Sequence, residues 1–371
     1  MPKSDEMMNI DAIVIGAGFG GMYMLHSLRK AGFSVVALEA GSDVGGVWYW
    51  NRYPGARCDN ESVTYSYSFS EDLQQEWVWP DRYAAQPDIL KYARHVADRF
   101  DLRQDIRFDT RVTSAQFDDD HNRWVIKADG GAEFSARFCI MATGCLSVPK
   151  TPDIPGLENF VGEQYHTADW PHDGVDFSGK TVGIIGTGSS GIQSIPIIAK
   201  QAEHLTVFQR TPNFSIPAWN TPTTPEKDRQ QKKEYPALRD KARNSMAGDY
   251  GEECVVSVLE MSPDERRAEF EKRWAQGGFN YQYAFTDALD STEANEPIAE
   301  FAREKIRQKV KNPEYAEILC PKNYPFGTKR LCVDTGYYET FNRDNVSLVD
   351  LGKTPIRHVT RTGLQTTEAE Y

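Results

Sequence analysis

The chain has 371 residues, and its 42 Lys and Arg stand against 54 Asp and Glu, a formal net charge of −12. That excess of acid supplies no electrostatic attraction to nucleic acid or to an anionic membrane surface. Hydrophobic residues at 40% and aromatics at 12% exclude a disordered chain, and the length accommodates two or three domains.

The opening residues, Met1 to Glu6, lack the basic and apolar regions of a signal peptide. The longest apolar runs, such as Ala12-Ile13-Val14-Ile15, are strand-length and too short to span a bilayer. Cysteines at 58, 139, 145, 254, 320 and 332 form no CxxC pair and read as reduced thiols, so a soluble cytosolic protein is expected.

In chain order, a buried-strand pattern over 11–15 runs into Gly16-Ala17-Gly18-Phe19-Gly20-Gly21. A helical pattern through Met24, Leu25 and Leu28 follows, then a strand over 34–38 ending at Glu39. The strand Arg137 to Ala142 ends in Ala142-Thr143-Gly144. The glycine device then recurs: a strand over 180–185, Gly186-Thr187-Gly188-Ser189-Ser190-Gly191, a helix to Lys200 and a strand over 205–208. Each unit reads as β-α-β and predicts a parallel sheet with a right-handed crossover. From Pro212 to Pro325 strand patterns vanish and charged helical patterns take over. Ser262-Pro263-Asp264-Glu265 reads as a capping box opening a helix through Trp274, and 296–311 as another helix. Strand patterns resume after Phe326. The expected fold is α/β, with two Rossmann-like dinucleotide-binding domains and a helical insertion in the second. The expected boundaries are 1–145 for the first domain, 146–216 and 326–371 for the second, and 217–325 for the insertion.

A glycine-rich loop between strand and helix lets a backbone approach a pyrophosphate at the helix N-terminus. In the first loop Gly16, Gly18, Phe19 and Gly21 are the expected contacts. Glu39, 18 positions after Gly21, suits ribose hydroxyls and repels a 2′-phosphate, so this site should hold FAD or NAD. In the second, Gly186, Thr187, Gly188, Ser189, Ser190 and Gly191 form the loop. Arg210, 19 positions after Gly191 and followed by Thr211, suits a 2′-phosphate, so this site should hold NADP(H). Two dinucleotides and no CxxC pair point to flavin-dependent oxygenation, not disulfide reduction.

Three further stretches resemble the Baeyer–Villiger monooxygenases. Phe160, Gly162, His166 and Trp170, followed by Pro171, match the family fingerprint FxGxxxHxxxW. Gly45-Gly46-Val47-Trp48, leading through Arg52-Tyr53-Pro54-Gly55 to Arg57, Cys58 and Asp59, is the second stretch, and Gly327-Thr328-Lys329-Arg330 is the third. The resemblance implies NADPH- and O2-dependent oxidation of ketones to esters or lactones through a flavin C4a-peroxide. It places Gly46, Val47, Trp48, Arg57, Asp59, Tyr65 and Val112 among the cofactor contacts. Arg330 is the implied fixed positive charge and Asp59 its orienting partner, with Lys329, Arg210 and Thr211 gripping the NADP phosphate and ribose. His166 and Trp170 are implied to lie near a linker. The alternatives are a flavin N- or S-oxygenase of the same superfamily, which Trp170 with Lys329-Arg330 weighs against, or a nucleotide-binding module without catalysis. Family members continue past the segment matching 355–371 to complete their FAD domain, so the chain is expected to be a fragment.

Overall fold

The computed structural model describes residues 8–146, 148–245, 248, 250–251, 256–283 and 285–371. Cys254 lies outside the described residues. The chain divides into two compact units. One comprises the described residues up to Arg52 with Gln86–Thr151 and His166–His172; the other comprises Tyr53–Ala85, Pro152–Tyr165 and Asp173–Tyr371. Residues 53–85, which precede the second glycine loop by a hundred positions, thus pack in the second unit.

The first unit is built on a six-stranded sheet. Its strands are β1 (Met8–Ile15), β2 (Val35–Leu38), β3 (Ile106–Arg107), β4 (Val112–Asp118), β5 (Arg123–Ala128) and β6 (Glu133–Met141), in the order β3-β2-β1-β6-β5-β4. β1 pairs in parallel with β2 and with β6, while β4, β5 and β6 form an antiparallel meander. Ala12, Ile13 and Val14 have no exposed surface, as expected of a central parallel strand covered on both faces. The helix Phe19–Lys30 buries Met22 and Leu25 and places Arg29 and Lys30 in its last turn, where cations complement the helix dipole.

The second unit contains β7 (Thr181–Ile185), β8 (His204–Gln209), β9 (Ser215–Pro217), β10 (Cys332–Asp334), β11 (Val346–Asp350), β12 (Ile356–Val359) and β13 (Leu364–Thr366). β11, β8 and β7 form a parallel sheet, crossed from β7 to β8 by the helix Ser189–Ile198. β9 and β10 pair in parallel, Ser215 against Cys332. β9 falls within the stretch that reads as strand-free. It is three residues long, and its strand character comes from a partner more than a hundred residues away. That pairing sets where Arg330, two residues before β10, emerges.

Between β9 and β10 stand the helices Pro225–Arg243, Pro263–Gln276, Thr292–Lys309 and Pro313–Leu319. Ser262 and Glu265 form the reciprocal capping box, with Pro263 in the first turn. The core of this region is aromatic: Phe270, Trp274, Tyr281, Phe285, Phe301 and Phe326 pack together. Asn295, fully buried, ties it. Its Nδ2 donates to the carbonyls of Ala288 (2.7 Å) and Phe326 (2.8 Å), and its Oδ1 accepts from the Phe326 amide (2.8 Å). Asn295→Ala should strand these three groups and lower stability by about 3 kcal/mol. Urea denaturation checks this, and a loss below about 1 kcal/mol would show that the tie is dispensable.

Candidate active site

In the first unit, Gly16 adopts φ +105°, and a Cβ there would stand 2.5 Å from the Ala142 carbonyl oxygen. A Cβ on Gly21 would collide with the carbonyl oxygen of Gly16, so the helix starts flush against the strand end. Gly46, at φ +55°, is backed by Gly18: a Cβ on Gly46 would lie 2.8 Å from the Gly18 Cα. Gly18 caps the helix with no side-chain hydrogen bond, leaving the first-turn amides for a ligand. Glu39 is buried at the end of β2, its two oxygens accepting from the amides of Ala17 (2.7 Å) and Gly41 (2.8 Å). A carboxylate has about four acceptor positions, so two remain for ribose hydroxyls. Val47 and Trp48 open a short helix after Gly46, and the Trp48 carbonyl accepts from Gln86 Nε2 at 2.5 Å. Phe19 packs beside Tyr92 with the two rings tilted by 33°, centroids 6.1 Å apart. Val112, at the start of β4, packs on the sheet core.

The second loop repeats this geometry. Gly186 takes φ +102°, and a Cβ on Gly191 would collide with the Gly186 carbonyl oxygen. Apart from its chain neighbours, none of the described residues has an atom within 4 Å of where a Cβ on Gly188 would stand. Protein packing therefore makes no demand for glycine at 188, whereas a closely approaching phosphate would. Thr187 is buried, its hydroxyl 3.3 Å from both Gln209 Oε1 and the Thr211 carbonyl, and its own carbonyl accepts from Asn213 Nδ2 at 2.6 Å. These bonds stitch the glycine loop to the segment carrying Arg210 and Thr211. Arg210 is exposed, and among the described residues no carboxylate pairs with it. The residues present fit a dinucleotide at each loop.

Asp59 and Arg330, 271 positions apart, meet in the second unit with Arg330 Nη2 at 3.4 Å from Asp59 Oδ2. The Asp59 side chain is 5% exposed and that of Arg330 is 69% exposed. Asp59 is the buried anchor and Arg330 the cation it presents. Ser189 Oγ donates to Asp59 Oδ2 (3.3 Å) and Gln193 Nε2 to Oδ1 (3.3 Å). Burial raises the Asp59 carboxyl above the usual carboxylate range, while the Arg330 charge and the donors from Arg330, Ser189 and Gln193 pull it down. Gln193 carries no motif label and was not identified from sequence. Its signal was its place four residues after Ser189, on the same helix face.

Lys329 lies with Nζ 4.4 Å from the ring centre of Tyr324. The Arg57 guanidinium binds the Tyr83 carbonyl and, at 3.4 Å, Asp81. Tyr65 is half-buried, with its amide donating to the Glu61 carbonyl at 3.0 Å. The fingerprint straddles the chain crossing between units: Phe160 and Gly162 belong to the second, His166 and Trp170 to the first. His166 Nδ1 accepts from the Ala168 amide at 3.1 Å, and Trp170 is buried. The aromatic stretch 277–283 divides: Tyr281 is in the core, whereas Phe279, Asn280 and Tyr283 line a small cavity with Asp59, Asn60 and Tyr83. The described cysteines are all free, and burial pushes the thiols of Cys58 and Cys332 up to about 12 and that of Cys320 up to about 11. Protonated thiols of this kind make poor nucleophiles.

The family model described as pyridine nucleotide-disulphide oxidoreductase matches residues 13–232. A solved steroid monooxygenase bound to NADP superposes with a TM-score of 0.95 at 55% identity, covering 98% of this chain and 70% of that one. A cyclohexanone 1,2-monooxygenase of an Acinetobacter species is 40% identical over 99% of this chain and 67% of its own length. The chain belongs to the flavin-dependent Baeyer–Villiger monooxygenase family. It spans about two thirds of the length of the curated relatives it matches. FAD and NADP are the cofactors of this family fold, both bound in a solved relative that superposes with a TM-score of 0.94. A phenazine N-monooxygenase of Lysobacter antibioticus is also similar, 42% identical over 98% of this chain and 67% of its own length.

Arg210→Ala should weaken NADPH about ten- to hundredfold, the scale of a charge-assisted pair, and leave NADH unchanged. Equal losses for both nucleotides in steady-state titrations would refute the 2′-phosphate role. Because the folded Asp59 carboxyl is raised, the folded chain holds that proton more tightly than the unfolded chain. Its stabilising contribution is complete below the unfolded value of about 4 and is lost as pH rises through the folded value. The stability of Asp59→Asn relative to the parent should therefore improve from about pH 4 to pH 7. Denaturation curves across that range that show the opposite slope would mean the carboxylate is stabilised by folding.

Proposed function

We propose that the whole protein oxidises ketones to esters or lactones with NADPH and O2, the activity typical of the family. The observation that carries this reading is the Arg330 guanidinium, exposed on a buried carboxylate held by the nucleotide-loop helix. Bound FAD and NADPH supply the hydride transfer and the activation of O2. Attack on a ketone carbonyl develops negative charge on oxygen, and a preorganised cation lowers the energy of that charge where water is excluded. Arg330 suits the task because a guanidinium keeps its proton at working pH and offers several donors. Asp59 fixes its direction, and its own burial deprives the pair of competing water on one side. Arg210 and Thr211 hold the phosphate end of the nicotinamide cofactor, and Lys329 adds a second cation beside Arg330.

No helix of the described residues is long and apolar enough to cross a membrane. We place the protein in the cytosol, where NADPH is available and thiols remain reduced. The phenazine N-monooxygenase relative favours a second reading, oxygenation of a ring nitrogen, in which no carbonyl oxyanion forms.

Arg330→Ala separates the readings. It should keep anaerobic flavin reduction by NADPH but lose ester formation by about a hundredfold or more. Ester formation at the parent rate would overturn the role given to Arg330. Retained N-oxygenation of a phenazine by the same variant would support the second reading.

A further inference from the structure

The side chain of Gln193 is buried in the second turn of the helix that starts at the second glycine loop. Its amide is used in full. Oε1 accepts from Tyr53 Oη (2.9 Å) and from the Arg57 amide (3.2 Å). Nε2 donates to the Arg57 carbonyl (3.1 Å) and to Asp59 Oδ1 (3.3 Å). Two donors face the oxygen and two acceptors face the nitrogen, so only one orientation of the amide satisfies all four. The loop closes tightly on this helix at another point: a Cβ on Gly55, at φ +79°, would collide with the Gln193 carbonyl oxygen. One turn earlier, Ser189 Oγ reaches the other oxygen of Asp59 at 3.3 Å.

We infer that Gln193 is the positioning residue that locks Asp59, and through it Arg330, to the helix whose N-terminus receives NADP(H). The inference rests on the role proposed for Asp59 and Arg330. Ser189 and Gln193 hold the two carboxylate oxygens from successive turns of one helix, so the Arg330 cation is aligned by the element that binds the nucleotide. Ser189 is a first-turn residue whose hydroxyl can also serve a phosphate. Gln193, a turn farther in, has its side-chain oxygen and nitrogen engaged by Tyr53, Arg57 and Asp59 and holds Asp59 through its Nε2 donor. Neutral isosteres lacking the donor cannot do so.

The test follows Asp59 in the full chain and needs no ketone turnover, so its failure is distinct from failure of the proposed activity. Besides Gln193 and Ser189, the groups facing Asp59 are Arg330, Tyr53, Cys58 and Cys332; Arg330 is the cation among them, and the tyrosine and thiols stay neutral below pH 8 or so. Removing a donor to the charged form raises a carboxyl pKa. Gln193→Met should therefore move the Asp59-dependent break in stability against pH upward by about one unit, and the shift should vanish in an Asp59→Asn background. A purely structural role for Gln193 would give the same change in both backgrounds or no shift in either, and would overturn the inference. If Gln193→Met does not fold, Tyr53→Phe serves: it removes one of the two donors that orient the amide, so the hold on Asp59 weakens and a smaller shift of the same sign should follow. No shift in Tyr53→Phe would equally overturn the proposal.

Discussion

A buried carboxylate survives only where donors face its oxygens, and Asp59 meets that condition through three residues from two distant segments. Ser189 and Gln193 come from the nucleotide helix, and Arg330 from the segment just before β10. What they share is one anion. The placement of residues 53–59, of the second glycine loop and of the segment before β10 depends on satisfying it. The cost of burying the carboxyl is visible in its raised affinity for a proton, and the exposed guanidinium is what the arrangement obtains in exchange.

The two glycine loops solve a different problem with the same means. In each, a glycine at positive φ ends the strand, and a second lets the helix start against the first one's carbonyl. The helix thus begins without a side-chain cap, its amides open to a phosphate. Beyond this the loops diverge. Glu39 is drawn inward by the amides of Ala17 and Gly41 and offers acceptors to hydroxyls. Arg210 is left exposed at the equivalent place and offers donors to an anion. The strand-end residue is therefore an acceptor at the first loop and a cation at the second.

The helical region between β9 and β10 is held by an aromatic core that takes in Ile216 of β9, by Asn295, and by Gln209 of β8, which donates to the Ile318 carbonyl. Its chain ends are fixed by the three-residue pairing of β9 with β10, which turns a long excursion into a closed loop. That closure delivers Arg330 to Asp59, a contact spanning 271 positions. Sequence reading locates the capped helix at 263 and the helix near 296, because caps and 3.6-residue periodicity are local signals. It misses β9, because Ser215-Ile216-Pro217 has no periodicity and gains its strand geometry from pairing alone.

The sequence by itself determined the two β-α-β units, the parallel pairing of their first strands, the identity of the glycine loops and the sign of the charge at each strand end. All of these are set by residues within about 30 positions of one another, where backbone sterics and short-range chemistry decide. The resemblance carried by residues 160–170 and 327–330 named the family without any coordinates. Tertiary structure alone decided that residues 53–85 pack with the second unit, that Arg57 is engaged by Asp81 and Tyr83, and that Gln193 holds Asp59. Those outcomes depend on which buried polar groups find partners once distant segments meet. A buried amide with four correctly placed partners looks, in the sequence, like any other glutamine on a helix.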